Sequence, residues 1–195
     1  RSIETGADVV AGYFTKINQN GKKKLEKFAY IDSFGKSIYE DHRVLLSAKA
    51  FLWNKIYRRS LFTENNIRFP EGQFFEANKI EVVHKNTNYY FTDNAGSTMN
   101  SFDARLYDIF KACDSMISFY KEKGIFEEFN SELEYLCRLH IFARITQLRK
   151  CDQKKVVRQY IGAAFDYLDK YFVNWRHNPY YLKKKMRLSR RFVYN

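Results

Sequence analysis

Ala7-Asp8-Val9-Val10-Ala11-Gly12-Tyr13-Phe14-Thr15 is the stretch whose reading decides the fold. Its β-branched and aromatic residues, with turn formers close behind, predict a strand. Asn18 through Gly21 supply the turn, and residues 25–31 are expected to return as a second strand. Lys22-Lys23-Lys24 follows the Asn-Gly pair and reads as a solvated hairpin tip. Farther out, residues 48–64 suggest a helix, with Phe51, Leu52, Ile56 and Phe62 available for burial. Phe69-Pro70-Glu71-Gly72 interrupts that helix, because proline and glycine punctuate regular structure. A short helix over residues 76–85, a strand at Tyr89-Tyr90-Phe91 and a turn at residues 93–97 are expected next.

Beyond residue 101 the period changes. Leu106, Ile109, Phe110, Cys113, Ile117 and Tyr120 recur at helical spacing, and Gly124 ends the run. Leu133, Leu136, Cys137, Ile141, Ile145 and Leu148 form a second apolar stripe. Val156, Val157, Tyr160, Ile161, Ala164, Phe165, Leu168 and Phe172 form a third, with Asp152 as its expected N-cap. Asn178-Pro179 then separates it from the C-terminal tail. The expected fold is therefore an α/β portion over residues 1–101 followed by a helical region over residues 102–195. No internal repeat is visible.

At 195 residues, with 45% hydrophobic and 18% aromatic content, the chain can bury a core. No apolar run approaches the roughly 18 residues that span a bilayer. No signal peptide is visible, and the start at Arg1 leaves room for a preceding segment. Cys113, Cys137 and Cys151 are sparse and odd in number, which fits reduced thiols and a cytoplasmic setting. The formal net charge of +12 favours anionic partners. From Arg176 to Asn195 there are seven Lys or Arg and no acid, interleaved with Tyr180, Tyr181, Leu182, Met186, Leu188 and Phe192. That pattern makes Lys183, Lys184, Lys185, Arg187, Arg190 and Arg191 the expected contacts to an anionic membrane surface. Packing of Leu182, Met186 and Phe192 onto the helical region is the competing reading. Outside the tail the aromatic residues fall in core-like stripes, so nucleic acid is not an expected partner.

Few motifs carry chemistry. His42, His84, His140 and His177 are isolated from one another and from the cysteines, so no zinc pattern exists, and His140 reads as a packed or surface histidine. Glycine-rich phosphate loops and a GxSxG elbow are absent from the sequence. Glu40-Asp41 precedes a helix-like run and suits its positive end. Glu71 and Glu76 flank the Pro-Gly loop, where a carboxylate could act as a general base or simply stay solvated.

One segment adds a resemblance. Trp53-Asn54-Lys55-Ile56-Tyr57-Arg58-Arg59, then Asn66-Ile67-Arg68-Phe69-Pro70-Glu71-Gly72, then Phe75-Glu76, resembles a run in bacterial family 2 glycosyltransferases of the GT-A type. The strand Tyr89-Tyr90-Phe91 and its close at Gly96-Ser97-Thr98-Met99-Asn100 continue the likeness, and the opening Ala-Asp-Val-Val-x-Gly-Tyr is similar to the strand after the family's metal-binding region. The likeness covers about residues 7–101; the helical region shares only general character with the family's variable extension.

The resemblance implies a GT-A-like acceptor-side half without the nucleotide-binding half. Such enzymes transfer a sugar from a nucleotide-sugar donor to a glycan or lipid-linked acceptor in capsule and other cell-surface polysaccharide synthesis, in the cytoplasm or on the inner membrane face. It implies acceptor contacts at Trp53, Phe69, Glu71 and Glu76, with Glu76 the catalytic candidate; core packing accounts for Trp53 and Phe69 equally well. Three departures matter. The family's Asp-x-Asp, which holds a divalent manganese or magnesium on the diphosphate, is missing here, and the carboxylate after its conserved Glu is replaced by Ala77. Thr92 and Asn94 stand where arginines are common. An inactive chain that binds no metal is therefore expected, and a non-catalytic interaction or membrane-docking module is the alternative.

Overall fold

The computed structural model describes residues 2–47, 53–65, 80–91, 102–149 and 151–182. The chain divides into two compact units, residues 1–95 and 96–195. It is a mixed α/β protein with one small sheet and several helices.

In the first unit, α1 (Ser2–Thr5) leads into β1 (Val9–Ile17), the strand around which the sheet is built. Both edges of β1 are used. Along one, β4 (Ile80–Phe91) runs parallel from Val9↔Ile80 to Ile17↔Phe91. Along the other, β3 (Lys55–Tyr57) pairs antiparallel with Val9 to Ala11, and β2 (Lys23–Glu26) with Phe14 to Ile17. The turn between β1 and β2 follows the Asn-Gly chemistry: Gly21 adopts φ +71°, its N–H donates to the Asn18 carbonyl at 2.9 Å, and Asn18 Oδ1 accepts from the Lys22 N–H. Alternation along β1 places Ala11 and Tyr13 in a core with Phe28 and Val82, against which Phe34 packs. Phe14 is fully buried on the opposite face.

Two expected helices give way here. Residues 53–64 form a turn, the strand β3 and then α3 (Arg59–Glu64), so Ile56 is 74% exposed rather than buried. Residues 80–85 belong to β4. In both places pairing along β1 supplies backbone partners that a helix would have found internally. The earlier helix is α2 (Arg43–Ser47), and residues 76–79 lie outside the described residues.

The second unit contains α4 (Asp108–Glu122), α5 (Asn130–Leu148) and α6 (Lys154–Tyr171). Gly124, at φ +72°, closes α4 as the sequence predicts. Leu133, Cys137, Ile141 and Leu148 make one buried stripe of α5, and Tyr160, Ala164 and Leu168 make that of α6. Burying each Leu contributes about 1.5–3 kcal/mol. Tyr160 donates its hydroxyl to the Ile141 carbonyl at 3.2 Å, and Tyr167 donates to Asp114 at 2.9 Å. Asp152 is not the cap of α6. Gln153 holds that position without a side-chain bond, and the Lys154 N–H donates to the backbone oxygen of Asp152.

Candidate functional site

The motif around Trp53 is fastened to β1 by backbone. Gly12 N–H donates to the Asn54 carbonyl at 2.9 Å, and Asn54 Nδ2 donates back to the Gly12 carbonyl at 3.1 Å. Asn54 thus extends the β3 ladder by one residue and is buried. At the other end the Arg58 N–H donates to the Asp8 carbonyl at 2.7 Å, while its guanidinium reaches Asp8 Oδ1 and the Gly6 carbonyl. Only a residue without Cβ fits at position 12, because Thr87 folds over it and donates its hydroxyl to the Tyr13 carbonyl. Two register shifts in the β1–β4 pairing, at Gly12/Tyr13 and Tyr13/Phe14, flank this contact.

Trp53 is held in place by three groups from elsewhere in the sheet. Its ring stacks on Tyr90, centroids 5.4 Å apart and planes 7° from parallel, and meets the Phe14 edge at 4.8 Å. Its carbonyl accepts from Asn88 Nδ2 at 3.1 Å. Trp53 is 41% exposed and Tyr90 39%, with Phe14 buried beside Trp53. Lys16 pairs in register with Tyr90 and places its ammonium 5.9 Å from the Phe14 ring. The result is an exposed, pre-ordered aromatic surface with an ammonium and an amide nearby. A flat ring whose C–H face is apolar and whose edge carries hydroxyls, as in a pyranose, matches such a surface. The π face is electron-rich, and the polar groups can bond the hydroxyls.

Two residues after Trp53, Lys55 is half-buried, its Nζ 3.1 Å from Asn54 Oδ1. Burial pushes its ammonium down to about 7, so it titrates near neutrality. Tyr57 is pushed up to about 12, also by burial.

The other expected site residues divide. Phe69, Glu71 and Glu76 lie outside the described residues. Asp41 is structural: Arg43 bonds its carboxylate through Nε at 2.8 Å and Nη2 at 2.6 Å, also bridges to Asp32, and holds Asp41 well below the usual carboxylate range. His84 bonds the Tyr13 hydroxyl at 2.6 Å, and burial lowers the pKa of His140. Among the described residues no group of three or more His, Cys, Asp or Glu side chains could hold a metal ion. Cys113, Cys137 and Cys151 are free thiols, the first two buried. No described helix is long and apolar enough to cross a membrane.

The start of the tail is part of the second unit. Trp175 is buried against Phe142 and Phe165 and donates Nε1–H to Asp169 at 2.7 Å. Asn178 Nδ2 donates to the Ser131 carbonyl at 2.7 Å. In the 3₁₀ turn Pro179–Leu182, Tyr180 donates to Glu132 and Tyr181 to Glu134, while Arg138 lies 3.8 Å from the Tyr181 ring centre. Glu132, Glu134 and Arg138 are all buried. Lys183, Lys184, Lys185, Arg187, Arg190 and Arg191 lie outside the described residues.

Sequence reading missed the partnership of Trp53 with Asn88 and Tyr90. The tyrosine strand itself was legible; its parallel alignment beside β1 has no local signal. No protein-family model matches the chain, and the comparison with curated proteins returned no match.

Proposed function

We propose that this chain is the acceptor-side half of a GT-A-type family 2 glycosyltransferase, followed by a helical extension. In an intact enzyme it would receive the glycan or lipid-linked acceptor. A base would deprotonate an acceptor hydroxyl, that oxygen would attack the anomeric carbon of the donor sugar, and the nucleoside diphosphate would leave. The observation that carries the reading is the exposed Trp53–Tyr90 stack, because it lies in the motif that suggested the family and suits a sugar ring. A divalent metal would neutralise the diphosphate in the nucleotide-binding half of such an enzyme. This chain alone is inactive in transfer.

Calorimetry with uridine diphosphate and manganese tests the division of labour. Negligible heat is expected from this chain; tight, manganese-dependent binding would overturn the assignment to the acceptor side. A second reading, a non-catalytic membrane-docking module on the inner face of the cytoplasmic membrane, draws support from residues 175–182, which fasten the root of the basic tail to α5. Retained sugar binding by a chain in which Lys183, Lys184, Lys185, Arg187, Arg190 and Arg191 are all changed to Gln, with weakened vesicle binding, would show both roles in one chain.

A further inference from the structure

Charge in the helical unit is segregated. Residues 144–149 and 151–158 hold five Lys or Arg against a single acid, Asp152, whereas residues 102–143 and 159–182 together hold seven against ten. The fold gathers the first group at one end. α5 and α6 form an antiparallel pair, fixed by Tyr160 on the Ile141 carbonyl and Phe142 against Phe165, with α5 ending at Leu148 and α6 beginning at Lys154. This tip lies at the far end of α5 from Ser131, Glu132 and Glu134, where the tail root is fastened. Seventeen residues of helix separate Ser131 from Leu148, about 25 Å at 1.5 Å per residue.

We propose that the α5–α6 tip is a docking surface for an anionic lipid bilayer, separate from the tail and independent of the glycosyltransferase reading. Arg149, Lys154, Lys155 and Arg158 are exposed, and Lys154, Lys155 and Arg158 form no ion pair with any described residue. Charge complementarity selects an anionic partner. The chemistry of the tip selects among anionic partners: residues 144–158 contain no aromatic side chain on which a base could stack. Its large apolar residues are buried or half-buried, so the tip offers cations to headgroups without a wedge for the acyl layer. Cys151, half-buried at the same tip, supplies a reporter, since Cys113 and Cys137 are buried.

The test uses the full chain carrying an environment-sensitive dye on Cys151, mixed with phosphatidylcholine vesicles of rising phosphatidylglycerol content. A blue shift that grows with phosphatidylglycerol and is reversed by salt is expected, and it persists when the tail cations Lys183, Lys184, Lys185, Arg187, Arg190 and Arg191 are changed to Gln. Each cation near an acidic leaflet contributes roughly fivefold, so Lys154→Gln, Lys155→Gln and Arg158→Gln together lower partitioning about a hundredfold. Lys154→Arg with Lys155→Arg leaves it unchanged, which separates charge from folding. The inference fails if the dye does not respond to vesicles, if the Gln variant partitions like the native chain, or if duplex DNA at the same ionic strength displaces the vesicles.

Discussion

Gly12→Ala should destabilise the first unit by about 2–4 kcal/mol. A Cβ there would stand 2.2 Å from Thr87 Cγ2, 2.4 Å from Oγ1 and 2.8 Å from Cβ, where ordinary contacts are about 3.5–4.0 Å. Thr87 is β-branched, and its hydroxyl is committed to the Tyr13 carbonyl at 3.0 Å, so it cannot yield by turning alone. Overpacking costs about 1–3 kcal/mol and loss of the hydrogen bond about 1 kcal/mol. Gly12 is also bonded to Asn54 through both its N–H and its carbonyl, so backbone retreat would strain the β3 ladder. Urea unfolding followed by fluorine NMR on 5-fluorotryptophan measures the effect, because Trp53 reports the first unit and Trp175 the second. The Trp53 transition should move to lower urea while that of Trp175 stays. Thr87→Ala should offset part of the loss, with a coupling of about 1 kcal/mol or more in the double-mutant cycle. A Gly12→Ala chain as stable as the native one, or strictly additive single effects, would refute the described packing of β4 on β1.

Lys55 makes the first unit more stable as pH rises from about 7 towards ~10.4, because over that window the unfolded chain binds a proton that the folded chain has released. Lys55→Met should flatten that slope in pH-resolved melts. Above pH ~10 Tyr57, held up to about 12, acts the other way, since the folded chain then keeps the extra proton. In the second unit, burial raises Glu134, so its contribution is complete below the usual carboxylate range and falls as pH climbs through its folded value; Glu134→Gln should remove that dependence. Tyr181→Phe takes a hydroxyl donor from buried Glu134 and should lower the Trp175 transition by about 1–3 kcal/mol.

Much of the architecture was legible where period and burial agree. The stripes through Leu133–Cys137–Ile141 and Tyr160–Ala164–Leu168 became the buried faces of α5 and α6 because every fourth residue falls on one side. β1 and its Asn-Gly turn were equally plain. Legibility failed where a long-range partner decides. Ile56 and Val82 satisfy a helical reading until β1 lies beside them, and then one is exposed in a short edge strand and the other is buried in β4. The aromatic stack likewise joins residues 37 positions apart, Trp53 and Tyr90, through strand alignment alone. Asp152 failed as a cap because Gln153 precedes the first turn of α6. The boundary of the tail moved for a related reason: Tyr180 and Tyr181 look like interleaved aromatics in sequence but are bound to Glu132 and Glu134.

The central claim, that the motif around Trp53 receives a sugar, is tested most directly by the fluorine resonance of 5-fluoro-Trp53 during titration with a panel of hexose and hexosamine oligosaccharides. At least one of them should shift the Trp53 resonance and leave that of buried Trp175 in place, and Tyr90→Ala should weaken that binding tenfold or more, about 1.4 kcal/mol. A Trp53 resonance that no oligosaccharide moves at millimolar concentration, or one that moves equally in the Tyr90→Ala chain, would contradict it.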